Sequence, residues 1–66
     1  MTANQYRAAL AKLGLSQVGA ARLLRINEVT SRRWAKDGVT GTAAVLLRLL
    51  VKGKITIADV EAAHDR

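Results

Sequence analysis

Apolar residues recur at helical spacing along almost the whole chain. Tyr6, Ala9, Leu10 and Leu13 form one stripe behind a Thr2-x-x-Gln5 capping pattern, with Gly14 as the stop. This predicts a helix over about 3–13. Ser16 then caps a run holding Val18, Ala20, Ala21, Leu23 and Leu24, a helix over about 17–24. Asn27 caps a third over about 28–36; Glu28 suits its positive end and Lys36 its negative end, and Asp37-Gly38 ends it. Residues 39–41 read as a loop. Thr40 or Thr42 caps a fourth helix over about 43–52, ended by Gly53. Residues 54–57 alternate like a strand, but one short strand has nothing to pair with. Thr56 and Asp59 read as a cap, followed by Ile57, Val60, Ala63 and His64, so the last element is a helix over 57–64. The expected fold is all-α, a compact four- to five-helix bundle in a single domain over 1–66, without repeats, low-complexity segments or a linker.

Within that bundle Trp34 is expected to point inward and anchor the third helix. Tyr6 is expected half-buried with its hydroxyl in water. The fourth helix, with the run Ala43 to Val51, is apolar on nearly every side, and only Arg48 and Lys52 interrupt that surface. One stripe must face the core, and the surplus predicts an interaction surface. A homodimer interface is expected within about 42–64, from Val45, Leu46, Leu49, Leu50, Ile57 and Val60. The alternative is a monomer in which the fifth helix covers the surplus.

Composition narrows the chemistry. Of 66 residues, 50% are hydrophobic, with no Cys, no Pro and one His, which removes disulfides and a Cys/His zinc site. A chain this short buries only about 60% of its unfolded surface, so a partner chain is the remaining help. Eleven Lys and Arg against five Asp and Glu give a net charge of +6, which points first to nucleic acid. Between Arg22 and Lys36 stand five basic residues and one acid, whereas three of the five acids lie in the last eight residues. A solvated helix face is the plainer reading of such a run. No apolar run nears the roughly 20 residues of a bilayer span, and the start has no secretory pattern, so a cytoplasmic protein is expected. No catalytic constellation is visible, and neither cofactor nor small-molecule ligand is expected. Glu61, His64 and Asp65 share one side of a helix and can bind metal weakly, but a solvated chain end is the preferred reading, so no metal site is expected.

Two short helices joined by Arg25-Ile26-Asn27 have the layout of a helix-turn-helix. Ala21 is small enough for a close crossing, and Leu24 and Ile26 are apolar at the turn. With Leu15-Ser16-Gln17, Ala21, Leu24 and Arg33-Trp34 in these places, the sequence resembles the lambda repressor/Cro-type (XRE-family) helix-turn-helix proteins. The matching stretches are 15–24 and 30–38, and the five-helix layout extends the likeness over nearly the whole chain. Two residues depart from the family pattern. Arg25 stands where the turn usually has Gly, which calls for a left-handed Arg or a different turn. Ser31 stands where the third helix usually buries Val or Ile, which leaves the register of that helix open.

The resemblance implies duplex DNA bound through the major groove by a helix-turn-helix over about 17–36. Base-reading candidates are Glu28, Val29, Arg32 and Arg33: an Arg can hold guanine, and Val29 can meet a thymine methyl. Glu28 can accept from cytosine, though a salt bridge to Arg32 one turn on is preferred. Backbone candidates are Ser16, Gln17, Arg22, Arg25, Asn27, Thr30 and Lys36, with capping preferred over adenine reading for Asn27. The implied protein is a dimeric repressor or autorepressor on a palindromic operator, of the kind small phage and mobile-element regulators represent, some beside anti-CRISPR genes. An antiactivator- or antitoxin-like interaction module acting through the fourth helix is the alternative, and a nonspecific nucleoid-type binder a third.

Overall fold

Residues 1–64, those described by a computed structural model, form five helices: α1 (Ala3–Leu13), α2 (Gln17–Leu24), α3 (Glu28–Asp37), α4 (Gly41–Val51) and α5 (Ile57–His64). No strand occurs among these residues. The helices begin where side chains can satisfy their orphan N–H groups. Thr2 and Gln5 make a complete capping box, Ser16 Oγ accepts from Gly19 N, and Asn27 Oδ1 accepts from Val29 N. Thr56 and Asp59 exchange the same reciprocal pair of bonds at α5. α4 begins two residues earlier than its apolar run suggests, at Gly41. Its N-cap, Thr40, makes no side-chain bond there, so local capping chemistry does not mark the start.

One core draws on all five helices: Tyr6, Leu10, Ala20, Leu23, Ala35, Ala44, Leu47, Leu50 and Val60, together with Val39 from the α3–α4 connection. Val39 lies in the connection read as a loop and is only 1% exposed. It is held there by reciprocal backbone bonds with Met1, each 2.8 Å. Gly38 makes this approach possible. Its φ is +99°, and a Cβ on it would sit 2.7 Å from the Met1 carbonyl oxygen, so a side chain is excluded twice over.

Tyr6 corrects the expectation of a wetted hydroxyl. The residue is fully buried, and its hydroxyl lies 2.7 Å from Ser31 Oγ, which in turn donates to the Gln17 carbonyl at 2.8 Å. A serine has one hydroxyl proton, so with that proton on Gln17 the tyrosine must donate to Ser31. The relay joins α1, α3 and α2 through three atoms. Burial pushes the Tyr6 phenol above its ordinary value of 10.0, partly opposed by the Ser31 contact. Trp34 is half-buried, packs against the core and meets the Tyr6 ring edge-on, with centroids 5.7 Å apart.

Two of the residues expected at a dimer interface belong instead to this core. Leu50 is 4% and Val60 6% exposed, because α4 turns one apolar arc inward and α5, packed chiefly on α2, turns Val60 into the same core. Leu46 and Ile57 are half-buried against the same core, which leaves Val45 and Leu49 as the exposed large apolar residues of α4. No helix among the described residues is long and apolar enough to cross a membrane.

Candidate nucleic-acid interface

The segment from Ser16 to Lys36 is built around the turn at Arg25. Arg25 adopts the left-handed conformation, φ 54° and ψ 44°. Its N–H bonds the Arg22 carbonyl at 3.3 Å while the next N–H, of Ile26, bonds Ala21 at 3.0 Å. This is the paired-bond helix ending that glycine usually makes, here made by Arg at a cost of about 1 kcal/mol. The chain then leaves α2 at once and Asn27 starts α3. Ala21 beneath the turn is 1% exposed, and α2 packs more extensively on α3 than on any other helix.

α3 is divided lengthwise. Ser31 and Ala35 are buried and Trp34 half-buried on one side. Glu28, Val29, Arg32, Arg33 and Lys36 are exposed on the other. At about 100° per residue these five fill a continuous arc of about 140°. Thr30 sits half-buried at its edge. Ser31 therefore takes the core-facing position that an apolar residue would take, with its hydroxyl satisfied by Tyr6 and Gln17, and the register of α3 is fixed. All four base-reading candidates share the exposed arc, with Lys36 beside them.

Within the arc Glu28 and Arg32 form an ion pair at 3.6 Å. Both side chains are more than half exposed, so the pair contributes a few tenths of a kcal/mol at most and opens readily. Arg33 and Lys36 have no hydrogen bond or ion pair among the described residues, and Val29 is 55% exposed. The arc presents guanidinium and ammonium donors around one apolar side chain. Asn27 is exposed, but its side-chain Oδ1 accepts from Val29 N–H, which leaves no bidentate edge for adenine.

The remaining candidates are spread more widely. Ser16 is exposed and Gln17 half-buried at the start of α2, next to α3 through the Ser31–Gln17 bond. Arg22 and Arg25 instead line a groove on the α2–α5 side, with Glu61 and His64. His64 does not lie free at the chain end: its Nε2 donates to the Leu23 carbonyl at 2.7 Å, tying α5 to α2. Asp65, expected near it, lies outside the described residues, and no metal-holding group of three ligands occurs among those described. A further side chain with a defined role, Arg7, has no signal in the local pattern. Its Nη1 donates to the Ala35 carbonyl at 2.7 Å and so fastens the C-terminal turn of α3 to α1.

No family model, curated protein or solved structure matches this chain. What α3 can do chemically rests on its own side chains and on how they are held.

Proposed function

We propose that this chain is a sequence-specific DNA-binding regulator of transcription, with α2 and α3 as its helix-turn-helix and α3 as the element that enters the major groove. The observation that carries this reading is the exposed arc of α3. Glu28, Val29, Arg32, Arg33 and Lys36 are held outward by a buried opposite face and follow directly on a tight, capped turn from α2. A helix fits the roughly 12 Å wide major groove, and an Arg there donates two hydrogen bonds to guanine. Ser16 and Gln17 at the start of α2 are placed to meet phosphate, while the net charge of +6 supplies long-range attraction. The protein acts as a dimer through Val45 and Leu49 and represses by occupying a palindrome, its two α3 helices roughly 34 Å apart.

Selection of bound sequences from random duplexes at physiological salt tests this. An enriched palindrome is the expected result. Retention of all sequences alike overturns specific recognition and leaves a nonspecific binder. A second reading, a module that binds another protein, is favoured by one observation: Val45 is 53% and Leu49 37% exposed on the same face of α4. Salt separates the two, because phosphate binding weakens steeply as salt rises and apolar binding does not.

A further inference from the structure

A second basic surface lies away from the α3 arc. α4 packs chiefly on α1, and between them runs a groove of about 310 Å³. Met1, Ala8, Ala9 and Val51 form its apolar lining, and Gln5, Lys12, Arg48 and Lys52 stand around it. None of the three cations has a hydrogen bond or ion pair among the described residues, and no acidic side chain lines the groove. Across the Arg48–Lys52 ridge lie the exposed Val45 and Leu49. The surface is thus a basic ridge with apolar ground on both sides.

The geometry points to an acidic amphipathic helix of a different protein as the occupant of this groove. Apolar lining calls for apolar cover, and three separate cations call for more than one anion. A nucleic-acid backbone brings the anions without the cover, and a fatty carboxylate brings the cover with a single charge. A helix with large apolar residues at i and i+4, flanked by carboxylates one turn apart, brings both. Arg48 and Lys52 are themselves one turn apart, about 6 Å, and match that spacing. A second copy of this chain fits poorly. Its acidic helix α5 has Asp59 engaged in capping, and its exposed apolar residues are the alanines at 58, 62 and 63, none large enough to fill the groove.

Selection of helix-forming peptides from a displayed random library, against the whole folded protein at physiological salt, tests this. The expected consensus carries carboxylates one turn apart beside large apolar residues. The enriched peptide should shift the backbone NMR signals of Ala8, Ala9, Lys12, Arg48 and Val51. Its affinity should fall at least about tenfold in Lys12→Glu/Lys52→Glu and stay unchanged in Arg33→Glu. Both variants alter exposed side chains, and their folding is read from the same spectra. The inference is overturned if no peptide is enriched, if the shifts fall on α3, or if charge reversal leaves the affinity unchanged. Shifts of the α1 residues Ala8, Ala9 and Lys12 on raising the protein's own concentration would give the groove to a second copy and overturn it as well, whereas association through Val45 and Leu49 leaves these signals in place. None of these outcomes depends on DNA binding by α3.

Discussion

Ser31 sits in the core with a hydroxyl where the resemblance would place a branched apolar side chain, and Tyr6 is the reason it can. Each hydroxyl satisfies the other, and the Gln17 carbonyl takes the last proton. Removing both members therefore costs less than the two single removals added together. Tyr6→Phe should destabilise by about 1 kcal/mol, and Ser31→Ala by about 2 kcal/mol because it strands a buried phenol. The double variant should cost less than the sum, and denaturant melts of the four proteins give the coupling directly. The phenol also sets a pH limit. Its folded-state value lies above 10.0, so its contribution is fully present below 10.0. As pH rises past that point the unfolded chain loses the proton first, and stability falls. Comparing melts just below and just above pH 10.0, wild type should lose more stability than Tyr6→Phe. At Arg25 the strain is separable from the side chain. Arg25→Gly and Arg25→Ala remove the same guanidinium, but only glycine relaxes at φ 54°. The glycine variant should be the more stable by about 1 kcal/mol.

At the scale of elements, helix positions were legible because capping is local. Thr2, Ser16, Asn27 and Thr56 announce four starts, and the structure places helices behind all four. What was not legible depends on contacts distant in sequence. Nothing near Arg7 indicates that it reaches Ala35, nor near His64 that it reaches Leu23. Periodicity also cannot say which of two apolar arcs on α4 faces inward, nor which side of α5 does, and so the sequence reading puts Leu50 of α4 and Val60 of α5 at an interface when they are core. For α3 the exposed arc was readable except for its register, which hung on Ser31 and needed Tyr6 to settle it. If α3 reads bases, its side chains and those of α2 should fail differently. Arg33→Ala should cost about 1–3 kcal/mol on the preferred duplex and relax the preference, while Gln17→Ala should weaken all duplexes alike. Competition binding with an enriched and a scrambled duplex checks both; equal binding by Arg33→Ala and wild type on each would refute the assignment.

The whole molecule is a thin shell around a few side chains, 30 Å in its longest dimension. With so small a core, association is the readiest source of added stability. Val45→Glu/Leu49→Glu should leave the helices formed, since both residues are exposed, and should abolish self-association in sedimentation equilibrium. A wild type that is already monomeric at micromolar concentration would remove the dimer, and with it the palindrome. The Tyr6–Trp34 contact has a consequence of another kind. These are the chain's single tyrosine and single tryptophan, and their rings are 5.7 Å apart. At that separation light absorbed by the tyrosine is handed to the indole before it can be emitted. Folded protein should therefore be dark at tyrosine wavelengths and brighten there as α1 parts from α3, giving an optical record of that one event without any added label.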